Sequence, residues 1–230
     1  MTTAHHPVPA LRVQAERLVA LGLAELAGLS AQEVRSCAAS AADAPGLLVV
    51  HPARLPASVL APVVQVDGRQ AFVVSDLTDL DAFMPVQVAA PPPSALYVVH
   101  DLDRGDAMRN WSPDEAMPAI TGAGRTPLTV TEGLHWLVQH PAVLERNVCF
   151  MTIGSRLAKP SGALDARTPA IWLSNGTGRD GVARRHAPKV GWCWAGNRHT
   201  WLGFATAGSR SALPASVGER GREVVSLGAW

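Results

Sequence analysis

Three four-residue signatures fix where helices must start in this chain: Ser30-Ala-Gln-Glu33, Ser112-Pro-Asp-Glu115 and Thr129-Val-Thr-Glu132. In each, the hydroxyl accepts from the backbone N–H three residues on, and the glutamate reaches back to the N–H of the hydroxyl residue. That satisfies two of the four donors a helix start leaves unpaired. Pro113 stands at the first helical position of the second signature, where its missing N–H costs nothing. Ahead of the first, Leu11, Ala15, Leu18, Val19, Leu21 and Leu26 recur at three- and four-residue spacing, with Arg12, Gln14, Glu16, Arg17 and Glu25 between them. This is a helical period, punctuated by Gly22 and Gly28.

Past residue 42 the period changes to short apolar runs: Leu47-Leu-Val-Val50, residues 95–100, 148–154, 169–174, 190–195 and 200–207. Their length and β-branched content predict strands. Residues 63–66 and 71–75 flank Asp67-Gly68, the strongest short hairpin signal, with Arg69 and Gln70 as extra loop residues. The expected class is α+β: an amino-terminal helical segment packed on a mainly antiparallel sheet, with the carboxy-terminal third mostly β. The expected organisation is a disordered stretch at 1–10, a helical segment with a small hairpin at 11–94, and a main α+β unit at 95–230. Pro91-Pro-Pro93 is the stiff spacer between the last two, which together form one compact unit.

With 230 residues, of which 47% are hydrophobic and 17% charged, the chain can bury a core without disulfide or metal staples. Disordered and highly charged tail classes are excluded. No apolar run approaches the roughly 18–20 residues that span a bilayer, and Met1–Pro7 has neither the basic nor the apolar region of a secretory leader. A cytoplasmic protein with no membrane partner is expected. Cys37, Cys149 and Cys193 are odd in number and far apart, which suits buried thiols in a reducing compartment.

The charge is unevenly spread. Residues 1–150 carry nine arginines against fifteen acids, and residues 151–230 carry eleven cations against four acids. Two readings are open: an anionic or nucleic-acid partner for the basic half, or neutralisation between the halves inside the fold. Arg184, Arg185, Lys189, Arg198 and Arg210 are sparse for a nucleic-acid groove, so nucleic acid is not the expected partner.

Several motifs are near misses. Gly176-Thr-Gly-Arg-Asp-Gly181 has the GxGxxG spacing, but no helix and no acid about 20 residues on follow it. It reads as a long β-loop able to close over a ligand, with Arg179, Arg184 and Arg185 as anion contacts. His100-Asp-Leu-Asp-Arg-Gly-Asp106 ends a strand with carboxylates, yet it lacks the glycine placement of a calcium loop. It reads either as Mg²⁺ or phosphate chemistry, or as a charged turn closed by Asp–Arg pairs. His135 and His140 are five apart, which is not the HExxH spacing, and no Gly-x-Ser-x-Gly elbow is present. Ser155, in Gly154-Ser-Arg156, is an isolated hint of a nucleophile. No spacing assigns a metal site, and the cofactor is unspecified.

The densest grouping is Gly191-Trp-Cys-Trp-Ala-Gly-Asn-Arg-His-Thr-Trp-Leu202. If Gly196-Asn197 is a two-residue hairpin turn, Trp192 pairs with Trp201 and Trp194 with His199, which places three indoles and an imidazole on one face. Such a face suits a flat or cationic ligand, or it packs into a core.

The chain resembles an actinobacterial family known only as a domain of unknown function. The resemblance rests on Asp101-Leu-Asp-Arg-Gly105, Pro118-Ala-Ile120 with Arg125-Thr-Pro-Leu-Thr129, Asn147-Val-Cys-Phe150 with Gly154-Ser-Arg156, and the tryptophan motif from Gly191 to Gly203. It covers about residues 11–207, and the loop at 175–189 is longer than the family pattern. The resemblance implies no reaction, cofactor or catalytic residue.

Two functions are therefore expected of different classes. The first is an enzyme on a small flat or cationic metabolite, of the kind met in natural-product metabolism. Trp192, Trp194 and Trp201 would hold the substrate, His199 would serve as acid or base, and Asp101 and Asp103 would orient or neutralise it. Its pocket would lie between the hairpin and the 101–106 turn, under the 176–181 loop. The second is a non-catalytic module that grips a ligand or protein through the indoles. A haem or metal protein and a nucleic-acid binder are weaker alternatives, and a homo-oligomer is compatible with either reading.

Overall fold

The computed structural model describes residues 7–42 and 44–214. The expected disorder at 1–10 falls largely outside these residues. In chain order the elements are helices α1 (Leu11–Ala20), α2 (Leu23–Leu26) and α3 (Ala31–Ser40), then β1 (Leu47–Val50), α4 (Ala57–Leu60), β2 (Gln65–Val66), β3 (Arg69–Gln70), β4 (Phe72–Val73), β5 (Met84–Pro85) and β6 (Leu96–His100). There follow α5 (Pro113–Gly122), β7 (Thr126–Pro127), α6 (Val130–Gln139), β8 (Cys149–Met151), β9 (Ser155–Arg156), β10 (Arg167–Leu173), β11 (Pro188–Trp194), β12 (Leu202–Phe204), β13 (Thr206–Ala207) and β14 (Ser209–Ala212). The class is α+β, with a helical amino-terminal part and mostly antiparallel sheets.

All three capping boxes form, with both reciprocal hydrogen bonds, at the starts of α3, α5 and α6. The third opens the helix that organises the molecule. Every residue of α6 is buried, the condition of a helix enclosed on all sides. One side packs on the five-stranded sheet β12-β8-β10-β11-β4. There Gly133 is necessary, because a Cβ would come within 2.8 Å of Thr152 and 3.1 Å of Phe150. The other side meets the three-stranded sheet β1-β6-β14 through His135, whose Nε2 accepts from the Val50 N–H at 3.1 Å. Gln14 of α1, fully buried, accepts from the Leu48 N–H at 2.8 Å. Two side chains thus satisfy the outer edge of β1, which would otherwise be an open template for strand addition.

Asp67 and Gly68 take φ of 50° and 71°, as a tight two-residue hairpin turn requires. The hairpin is shorter than expected: Gln65–Val66 pairs with Arg69–Gln70, and Phe72–Val73 leaves to run parallel to β11. Both sheets combine strands from either side of Pro91–Pro93, β1 with β6 and β4 with β11. Cations of the basic half bridge to acids of the acidic half at Arg167–Asp79, Arg179–Asp76, Arg198–Glu115 and Arg210–Glu132. The charge asymmetry is thereby partly spent within the fold. No disulfide joins the cysteines among the described residues; burial pushes the Cys149 and Cys193 thiols up to about 11. No described helix is long and apolar enough to cross a membrane.

Candidate functional site

The tryptophan motif does not fold as a hairpin. A turn does form after Trp194, closed by the Asn197 N–H bonding the Trp194 carbonyl at 3.0 Å. The chain then crosses the sheet, and β12 pairs in parallel with β8, leaving β8 and β10 between it and β11. The reason lies in competing partners. β10 takes one edge of β11 over seven residue pairs and β4 takes the start of the other. Meanwhile the N–H groups of Asn110 and Asp114 bind the carbonyls of His199 and Ala195. The expected single aromatic face therefore splits in two. Trp192 and Trp194 pack edge to face at 4.5 Å, with Trp194 48% exposed. Trp201 meets Trp172 at 6.1 Å and His199 at 5.3 Å.

The acid–base group expected around His199 does not assemble either. Burial lowers the His199 pKa, and its Nε2 is enclosed with no hydrogen-bond partner among the described residues. Asp101 accepts from Arg125 at 2.5 Å, and Asp103 accepts from the Gly105 N–H at 2.7 Å. Asp103 thus caps its own turn, the Asp–Arg pair within that turn is Arg104 with Asp106, and Asp101 ties the turn to Arg125 just ahead of β7. The turn lies directly on β12, since a Cβ on Gly105 would fall 2.0 Å from the Phe204 carbonyl oxygen. At that point the turn and β12 are in direct backbone contact, and neither His199 nor the two aspartates line the recess formed beyond it by Arg109, Asn110, Trp111, Glu115 and Arg198.

Two recesses do gather functional groups. The first, of about 290 Å³, opens where β11 runs past the end of β4 and is overhung by the 175–187 loop. It joins three of the expected ligand contacts, Trp192, Arg179 and Arg184, to Trp172, Lys189, Asp76 and Asp180. Gly191 lets the Trp172 indole cross β11 toward this edge; a Cβ there would sit 2.4 Å from the ring. The Lys189 ammonium lies 5.0 Å from the Trp172 ring and bonds both Asp180 oxygens at 2.9 and 2.8 Å. Ser174 donates to the same carboxylate at 2.7 Å. Asp180 is mostly buried, yet these donors hold its pKa below the usual carboxylate value. Arg184 lies 4.4 Å over the Phe72 ring. Arg185, the remaining expected contact, lays its stem against Gly176 and does not line the recess.

The second, of about 410 Å³, lies at the amino-terminal end of α6. Its walls are apolar and stiff: Ala57, Leu80, Phe83 and Met84, with Pro52, Pro56, Pro85 and Pro91. Proline fixes φ, so such walls hold their shape without a ligand. Few polar groups converge on it: His51, Asp81, Thr129, Thr131 and Ser155. Burial lowers the His51 pKa, so the ring is neutral near pH 7. Its Nδ1 accepts from the Ala53 N–H at 3.2 Å, which leaves the proton on Nε2. Asp81 is fixed by Ser58, whose N–H and hydroxyl both bond the carboxylate. Ser155 accepts from the Val130 N–H at 3.0 Å. One turn along, fully buried Glu132 receives Arg210 at 2.6 and 2.7 Å and the Tyr97 hydroxyl at 3.1 Å.

A family model covers residues 17–213, and its family is described as one of unknown function. The chain belongs to DUF5701. No curated protein and no solved structure is significantly similar to it. Both recesses of this DUF5701 member lie within the matched span. Among its described residues there is no group of three or more His, Cys, Asp or Glu that could hold a metal.

Sequence reasoning missed the cavity of the DUF5701 chain almost entirely, touching it at Ser155, at the Thr129 capping box and at Pro91 of the proline spacer without assigning any of them to a pocket. Its lining comes from segments around residues 51–57, 80–85, 90–91, 129–131 and 155. Apart from the capping box at 129–132, none of these has a motif that points to a ligand. The one available signal was the density of prolines flanking His51, which reads locally as an ordinary loop.

Proposed function

We propose that this DUF5701 protein binds a small, predominantly apolar molecule carrying a hydrogen-bonding end, in the cavity at the start of α6. The observation that carries this reading is the cavity itself: stiff apolar walls around a few convergent polar groups, the usual makeup of small-molecule sites. His51 offers an N–H donor, so the ligand presents an acceptor such as a carbonyl or ether oxygen to it. Asp81 is the single charged group on the wall, and no arginine or lysine lines it. An anionic ligand is thereby disfavoured, and a neutral or cationic one fits.

The test is titration with Nile red, a neutral apolar dye, followed by its blue shift. Ala53 lies exposed on the cavity wall, so Ala53→Trp blocks the mouth without disturbing the core. Dye affinity should fall at least tenfold in this variant at unchanged thermal stability. Equal binding by both proteins would refute the site.

An enzyme using a histidine as acid or base is the second reading, and one observation favours it: His51, Asp81 and Ser155 line the same cavity. For an enzyme, His51→Gln removes turnover of a bound substrate while leaving its affinity within a few-fold. For a binding protein the same change alters affinity alone.

A further inference from the structure

We propose that the recess beside β11 is a second, separate binding site, for a planar aromatic anion. Its charge decides the sign of the ligand. Three cations, Lys189, Arg179 and Arg184, face two carboxylates, Asp76 and Asp180. Lys189 and Asp180 neutralise one another as a largely buried pair with side-chain exposures of 17% and 12%. Arg179 and Asp76 also pair, but the arginine is 77% exposed, and exposed pairs of this kind are weakly held. Arg184 forms no ion pair among the described residues; its guanidinium rests on the Phe72 ring. The surplus charge is therefore positive. It sits on two arginines, whose planar forks bond carboxylate or phosphate oxygens in pairs.

The walls decide the shape of the ligand. Trp172 already carries the Lys189 ammonium on its ring, whereas Trp192 is half-buried and lines the same recess, braced edge-on by Trp194. An indole held this way is a stacking surface for a flat ring. At about 290 Å³ the recess is at the small end of ligand sites, which suits a mono- or bicyclic ring with one anionic group. Ser75 and Thr177 supply hydroxyls along the same wall.

The experiment is calorimetric titration of the full chain with four matched probes: naphthalene-2-carboxylate, 2-naphthyl phosphate, 2-naphthylmethanol and 2-naphthylmethylammonium. The two anions should bind at least tenfold more tightly than the alcohol or the ammonium, and their affinity should fall with added salt. The better of the two shows whether the natural anion is a carboxylate or a phosphate. Arg184→Gln, on an exposed side chain, should weaken the anions about tenfold and leave the alcohol unchanged. Trp192→Leu should weaken every naphthyl probe. All titrations are made in the Ala53→Trp background, because the open apolar cavity would otherwise take up the neutral and cationic probes; the anion affinities should equal those of the unaltered chain. The site is overturned if the ammonium or alcohol binds as well as the anions, if Arg184→Gln has no effect, or if no probe gives heat at millimolar concentration.

Discussion

The Glu132–Arg210 pair at the start of α6 and the Asp180–Lys189 pair under the tryptophan recess use the same chemistry at different depths. Glu132 and Arg210 expose 0% and 6% of their side chains, and the carboxylate also accepts from Tyr97 and from the Thr129 backbone. Asp180 and Lys189 expose 12% and 17% and border an open polar recess. The first pair is a structural joint, tying β14 to the helix between the two sheets. The second fastens a loop over a place where a ligand can arrive. Charge buried beyond reach of water specifies architecture, whereas charge at the margin of water remains available for exchange.

The largest effect should come from breaking the deeper pair. Arg210→Met leaves the buried Glu132 carboxyl without its cation, and removal of one partner of a buried pair costs about 3–5 kcal/mol. Urea unfolding should show this loss directly. Lys189→Met should cost less, because water reaches Asp180 and the Ser174 hydroxyl remains. If the two variants lose equal stability, the distinction between joint and fastener fails.

Next in size is the acid sensitivity of the core. His135 is fully buried and neutral, its pKa lowered to about 4 because burial opposes the charge. Its Nδ1–H donates to the Thr131 carbonyl at 2.8 Å, so Nε2 is the acceptor for Val50. A histidine with a depressed native pKa contributes stability that is complete above its unfolded value near 6.5. That contribution is lost as pH falls toward 4, because the unfolded chain binds the proton first. The loss amounts to about 3 kcal/mol. His135→Gln, which keeps an acceptor for Val50, should flatten the stability profile between pH 6.5 and 4. An unchanged slope would mean that carboxylates alone govern acid unfolding.

These two regions also differ in how far the amino-acid pattern reveals them. The start of α6 is legible from Thr129-Val-Thr-Glu132, because a capping box is a contract between residues three apart. Asp67-Gly68 is legible for the same reason. The partner of β11 is not. Gly196-Asn197 does make its local turn, but which strand follows depends on β10 and β4 having already taken edges of β11. It depends as well on β8 offering β12 a free edge. Parallel pairing of β4 with β11 and of β12 with β8 joins segments more than fifty residues apart, and short-range signals carry no information at that distance. The cavity is hidden for a related reason, since His51 and Ser155 become neighbours in one wall only after both sheets close around α6.

A smaller effect tests whether the recess depends on its glycine. In Gly191→Ala the new Cβ would meet Trp172 at 2.4 Å and Val74 at 3.2 Å, so the indole must leave its place across β11. Overpacking of this kind costs about 1–3 kcal/mol, and tryptophan emission should shift as Trp172 moves.

Smallest of all is Arg179→Gln. The Arg179–Asp76 pair is exposed, and its loss should change stability by less than about 0.5 kcal/mol. The informative comparison is with Lys189→Met, since both variants remove one positive charge from the same recess. If Arg179→Gln is silent in unfolding yet weakens an aromatic carboxylate, then Arg179 is held by Asp76 only until an anion replaces that carboxylate. If instead it destabilises the chain as much as Lys189→Met does, the loop depends on both bridges. Arg179 would then be a strut, leaving Arg184 alone to meet a ligand.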